Sequence, residues 1–294
     1  MPNVEANGIQ IEYETFGDET QPPLLLIMGL GRQMVSWNND FCLGLVEKGF
    51  YVIRFDNRDV GLSTKFDEAG IPDAAAAVAA SLQGQEVQAP YTIDDMADDA
   101  VGLLDALGID KAHICGASMG AAITQTIGFR HPSRALSLIS IMGTTGNPDL
   151  PPAKPEAMQL LLTPAPEERE QNIEAVVKRL HVLWGSLPFD EKDMLKRASL
   201  EYDRCFHPEG VTRQLVATIA HGNRKPRLGS ITAPTLVIHG AEDPLIPVEA
   251  GKDTAEAIPG AELLIIDGMG HSLPRQVWPQ VIEAIKEHTG KAVR

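Results

Sequence analysis

The chain has 294 residues, 44% of them hydrophobic, which is enough to bury one large core with room for an inserted subdomain and excludes a disordered protein. A formal net charge of −15 repels nucleic-acid phosphates and anionic membrane surfaces, so polyanion binding is excluded as a function class. The longest apolar run, 24–28, is too short to span a bilayer, and Cys42, Cys115 and Cys205 are widely spaced and odd in number, so the expectation is a soluble cytoplasmic protein with reduced thiols and no membrane partner.

Residues 4–6 and 9–13 alternate polar and apolar side chains around Asn7-Gly8, which predicts an opening hairpin. A strand follows at 24–27, a helix around 41–48 closed by Gly49, and a strand at 51–55. Apolar strands separated by helices predict a parallel sheet covered on both faces. The alanine-rich patch 74–80 reads as a short helix. Thr92 and Asp95 form a capping-box pattern before Ile93, Met96, Ala97, Ala100, Val101, Leu104 and Leu107, which recur at helical spacing as far as Gly108. The aspartates of this helix, Asp94, Asp95, Asp98 and Asp99, are expected to face water and complement its dipole, not to hold a metal. Strands are predicted at 112–115 and 135–141. From 147 to 228 the alternation stops: prolines at 151, 152, 155, 164 and 166 precede helical stretches around 172–184, 191–206 and 211–221. Strands resume at 235–238 and 263–266, and a final helix covers about 275–288. The expected organisation is a core of 1–146 and 229–294 interrupted by a helical cap, 147–228.

Gly116-Ala117-Ser118-Met119-Gly120 falls directly between a strand and a helix-like run. A serine at the apex of so tight a turn has its hydroxyl exposed, and only small residues two before and two after it let strand and helix approach. A serine nucleophile needs a base and a group to orient that base, and in a parallel sheet such groups gather in loops at the carboxyl ends of strands. Asp243, in Gly240-Ala241-Glu242-Asp243-Pro244, and His271, in Gly268-Met269-Gly270-His271, each follow a strand, and flexible glycines are expected to let the imidazole swing toward Ser118. Glu242 is the competing acid. His113, His131, His239 and His288 read as structural, while His181, His207 and His221 fall in the insertion with no fixed role. Met28-Gly29-Leu30-Gly31 can present the Leu30 amide to an oxyanion, with the Met119 amide as the second donor. As a nucleotide loop this stretch fails: position 34 is Met and no lysine follows.

With these motifs and the stretch Asp56-Asn57-Arg58-Asp59-Val60-Gly61-Leu62-Ser63, the chain resembles the α/β-hydrolase superfamily over nearly its whole length, nearest to the carboxylesterase branch that includes aclacinomycin methylesterase. It departs from the family pattern in having Met28-Gly29 where His-Gly is commonest and Arg58-Asp59 where Arg-Gly is usual. The resemblance implies an α/β-hydrolase fold with an eight-stranded, mostly parallel sheet, a small-molecule ester substrate, no cofactor and no metal. It implies a carboxylic ester hydrolase acting through an acyl-enzyme on Ser118, with His271 as base and Asp243 as its orienting acid. Ser118 in place of aspartate argues against dehalogenases and epoxide hydrolases of this fold, Met119 against proline aminopeptidases, and Ala117 and Ala121 against carbon–carbon bond hydrolases. A cofactor-free perhydrolase or a carbon–carbon bond hydrolase on the same triad, the latter lowered but not removed by Ala117 and Ala121, and a hydrolase-fold ligand receptor are the other readings. Leu160, Leu161, Trp184, Leu187, Phe189, Tyr202 and Phe206 offer apolar surface for a roofed pocket that favours short soluble esters, with some of them expected to form the insertion's own core and only a subset to touch substrate.

Overall fold

Asn7 and Gly8, both at positive φ, turn β1 (Asn3–Ala6) into antiparallel β2 (Ile9–Phe16), as the Asn-Gly pair predicts. This hairpin is one end of an eight-stranded sheet in the computed structural model, which describes residues 2–292. The sheet continues through β4 (Tyr51–Phe55), β3 (Pro23–Ile27), β5 (Ala112–Ala117), β6 (Ala135–Ile141), β7 (Thr235–Gly240) and β8 (Glu262–Ile266), in that spatial order. From β4 to β8 every neighbouring pair is parallel, and β2 joins β4 antiparallel. All the βα loops from β3 onward therefore open at one edge of the sheet.

Alternate residues of one strand serve opposite faces, as the two-residue period demands. Leu24 and Leu26 of β3 pack with α1 (Asn39–Glu47) and α11 (Trp278–Ala292), while Leu25 and Ile27 pack with α3 (Ile93–Ala106) and α4 (Met119–Arg130). Thr92 and Asp95 close both bonds of the predicted capping box on α3, and α2 (Ala74–Leu82) is the predicted alanine-rich helix. Between β6 and β7 come α5 (Pro155–Leu162), α6 (Arg169–Leu183), α7 (Glu191–Arg204), α8 (Pro208–His221) and α9 (Lys225–Leu228). A small core of Ile173, Val177, Trp184, Met194 and Ala198 holds α6 to α7. Three helices were not expected: α5, which opens on Pro155 where a missing amide costs nothing, the four-residue α9, and α10 (Val248–Ala257) after β7. Among the described residues no helix is long and apolar enough to cross a membrane.

The aspartates of α3 do not all face water. Asp99 is 2% exposed and accepts from Arg58 Nε and Nη2 at 2.6 and 2.7 Å and from Asn7 Nδ2 at 2.8 Å. It lies on the same helix face as Met96 and Leu103, so its carboxylate enters the interior and requires a cation there. Asp98, on the rim, pairs with Arg130 and His131.

Two of the histidines are expected to make the fold acid-sensitive. His113, buried in β5, bonds Ser137 Oγ through Nδ1 at 2.8 Å, as expected of a packing residue. Burial, then the nearby charges of His288 and Lys286, pushes its pKa down to about 4. Burial, then Arg224 and Arg227, pushes His221 to about 3. In the unfolded chain both bind a proton near 6.5, so the stability they contribute is complete above pH 6.5 and is lost as pH falls from there toward 4. The melting temperature should fall across that window, and His221→Gln should flatten the fall. A variant as acid-sensitive as the wild type would place the effect elsewhere.

Candidate active site

Ser118 joins β5 to α4 with φ 58° and ψ −117°, a left-handed conformation that a β-branched residue would not hold. Its amide donates to Ile141 O at 2.9 Å, anchoring the turn to β6. The flanking glycines are required by contact. A Cβ on Gly116 would overlap the Gly120 carbonyl, and one on Gly120 would overlap the Ile27 carbonyl at the end of β3. Strand, helix and the loop after β3 thus meet around the serine with no room for a side chain.

Asp243 and His271 reach Ser118 from the ends of β7 and β8. His271 Nε2 lies 2.9 Å from Ser118 Oγ, and His271 Nδ1 lies 2.7 Å from Asp243 Oδ2. The other carboxylate oxygen accepts the amides of Leu245 and Ile246 at 2.9 and 2.8 Å, which fixes the plane of the carboxylate. An ionised carboxylate only accepts, so Nδ1 carries the hydrogen and Nε2 is left to accept from the serine hydroxyl. Beneath this row His239 is wholly buried, more so than a strand-end residue is expected to be, and its Nε2 donates to Ile246 O at 2.8 Å. It thereby ties down the turn that supplies the two amides.

Glu242, the competing acid, points elsewhere: it is exposed and accepts from Ser186 Oγ at 2.8 Å. The glycines near His271 do not act as a swivel. A Cβ on Gly270 would overlap Leu183 O, and the loop is clamped to the end of α6 by His271 N to Leu183 O, Gly270 N to Trp184 O and Ser186 N to Gly268 O, at 2.6, 2.9 and 3.0 Å. Small residues serve close packing of two backbones here, and the imidazole is held in place.

The loop after β3 brings Gly29 against Ser118, so close that an added Cβ would lie 3.0 Å from Ser118 Cβ. Among the described residues the Leu30 and Met119 amides donate to no protein acceptor; for Met119, the first residue of α4, the helix offers none. Three residues without a role in the sequence reading hold this loop. Asn57 Nδ2 donates to Met28 O at 2.9 Å, Gln214 Oε1 of α8 accepts from Gly31 N at 2.8 Å, and Asp56 Oδ1 accepts from Met34 N at 2.7 Å. Asp56 and Asn57 sit in the stretch after β4 that was singled out as a motif; Gln214 gives no local signal.

Asp59, where a glycine is usual, has φ 68°, which explains that usage. Its carboxylate accepts two bonds from Arg213 of α8, at 2.8 and 2.9 Å. Burial alone would raise the Asp59 pKa, but the Arg213 guanidinium and the Phe66 amide outweigh it and hold the group below the usual carboxylate range. Asp59, Asp67 and His207 come close enough together to share a metal ion, yet Arg213 Nη2 already lies 2.8, 2.9 and 2.9 Å from them and supplies the positive charge.

A cavity of about 460 Å³ runs from Leu30 and Gly31 between the core loops and the helices that follow β6. Of the seven apolar candidates, the subset that lines it is Leu161 and Phe206. Trp184, Leu187, Phe189 and Tyr202 pack in or against the core of α6 and α7 instead, because those helices need an apolar core of their own.

Residues 22–274 match the alpha/beta hydrolase fold family. The chain belongs to that family. This α/β hydrolase is similar to the rhodomycin D methylesterase DauP of Streptomyces sp. (strain C5), with 31% identity over 98% of each chain. It is also similar to a 2-hydroxy-6-oxononadienedioate/2-hydroxy-6-oxononatrienedioate hydrolase of Dechloromonas aromatica, with 35% identity over 58% of this chain and 59% of the other. Among solved structures, the meta-cleavage product hydrolase CumD of Pseudomonas fluorescens IP01 superimposes with a TM-score of 0.75 at 20% identity, over 99% of this α/β hydrolase and 98% of that chain, which bears on the fold alone.

Proposed function

We propose that this α/β hydrolase is a carboxylic ester hydrolase working through an acyl-enzyme on Ser118, with residues 147–228 as a cap over the site. The observation that carries it is the unbroken line from Ser118 Oγ through His271 to Asp243, set beside two amides with no protein acceptor. His271 Nε2 takes the serine proton as Oγ attacks the ester carbonyl, and the Leu30 and Met119 amides receive the tetrahedral oxyanion. His271 then returns the proton to the leaving alcohol, and water repeats the sequence to release the acid. No cofactor or metal enters these steps. Likeness to a methylesterase over 98% of both chains supports an ester as the bond cleaved.

Likeness to the dienedioate hydrolase over 58% of the chain favours a carbon–carbon bond hydrolase as the second reading, on the same Ser118 and His271. A series of p-nitrophenyl esters from acetate to palmitate tests the first. The cavity lies between the core loops and the helices that follow β6, and the chain is strongly negative, so turnover should peak among short acyl chains. A maximum at the long end, or a jump in rate where micelles form, would mark a lipase. Failure to release nitrophenol from any ester, with cleavage of a vinylogous 1,5-diketone, would decide for the second reading.

A further inference from the structure

The cavity beside Leu30 has an apolar wall, including Val60, Leu161 and Phe206, and charged groups whose partners can be traced one by one. Arg32 donates to Glu201 at 2.9 Å, and His207 lies 3.1 Å from Asp67 and 3.5 Å from Glu209. Glu167 is exposed at the rim. That leaves Arg179 of α6. It makes no ion pair or hydrogen bond among the described residues, and its Nε is shut off from solvent without an acceptor. Among the described residues, the charge that acts on it is that of Arg32, of the same sign, and burial with this neighbour lowers its pKa. A guanidinium stays charged in proteins, and a sealed donor without an acceptor costs stability. Glu167, Glu201 and Glu209 also line the cavity, yet none of them pairs with this arginine. The sealed Nε is out of reach of a group in the cavity, so the donors open to one are on the Nη side of the guanidinium, which is likewise unpaired among the described residues.

We propose that Arg179 binds a free carboxylate of the substrate, so that the preferred substrates are esters bearing a second, unesterified carboxylate remote from the bond that is cleaved. The class includes half-esters of dicarboxylic acids and esters of hydroxy acids. This rests on the ester-hydrolase reading, in which the Leu30 amide holds the oxyanion; Leu30 also lines this cavity. A planar fork of donors matches a carboxylate in bidentate fashion, which a lysine ammonium would not. Arg179 contributes no group to the bond-breaking steps, and its effect is on which ester is held.

The test compares charged esters with neutral isosteres: p-nitrophenyl hydrogen adipate against p-nitrophenyl adipamate for a carboxylate on the acyl side, and 4-carboxyphenyl against 4-carbamoylphenyl butyrate for the alcohol side. The wild type should favour the carboxylate in at least one pair by about ten- to a hundredfold in kcat/KM, mainly through KM. Arg179→Gln should erase that preference while its rate on the neutral esters stays within about twofold, and Arg179→Lys should keep part of it. Thermal melts check that both variants fold. No preference in either pair, or a preference that survives Arg179→Gln, overturns the proposal. Adipate binding by calorimetry, weaker in Arg179→Gln than in wild type, reads the arginine without any ester. Loss of all ester turnover with adipate binding intact would sink the ester-hydrolase reading and leave the anion site standing, whereas equal adipate binding by wild type and variant sinks the site.

Discussion

Ser118→Ala should lower ester turnover by about five to six powers of ten and leave the melting temperature unchanged. The serine hydroxyl meets His271 and stands at a half-buried surface, so removing it opens no cavity in the core. Alanine also inherits the same left-handed backbone at φ 58°, held by the Ser118 amide bond to Ile141 O and by the contacts of Gly116 and Gly120, so strain is neither added nor relieved. Turnover and melting are therefore expected to separate completely. The check is steady-state kinetics beside a thermal melt on one preparation. Should both fall together, Ser118 is a structural residue and the acyl-enzyme mechanism is wrong.

Much of this architecture was legible because its signals are local. The strands at β3, β4, β5 and β7 are short apolar runs between turn residues, Asn7-Gly8 specifies a hairpin, and Thr92 with Asp95 writes the start of α3 into four residues. The site was legible for the same reason: each of Ser118, Asp243 and His271 follows its strand within a few residues, and topology alone delivers them to one edge of the sheet. What the sequence hid depends on partners far along the chain. Asp99 reads as one more surface aspartate until Arg58, 41 residues away, is seen beside it. The glycines around His271 read as flexible, but the backbone of 183–186 that presses on them belongs to a different segment. Aromatic residues of the insertion carry a helical period whether they face substrate or each other, so periodicity could not tell the lining of the cavity from the core of α6 and α7. Arg179 is the extreme case, since the absence of a partner has no sequence pattern at all.

Asp243→Asn should cost about four powers of ten in turnover, while Glu242→Gln should be nearly silent. The two acids are adjacent in sequence and only geometry separates them. Asp243 is 5% exposed, and its oxygens divide between His271 Nδ1 and the amides of Leu245 and Ile246. Glu242 faces outward to Ser186. In the asparagine variant the two amides still demand an oxygen at the Oδ1 position, so the side-chain NH2 is turned toward His271. That NH2 donates instead of accepting, which stabilises the imidazole tautomer with hydrogen on Nε2. Such a ring presents a hydrogen to the Ser118 hydroxyl where a lone pair is needed, and the proton cannot leave the serine. The fold should survive, because the amide donors remain satisfied and volume is conserved. Turnover measured with a matched melt checks this, and a damaging Glu242→Gln beside a mild Asp243→Asn would reassign the acid.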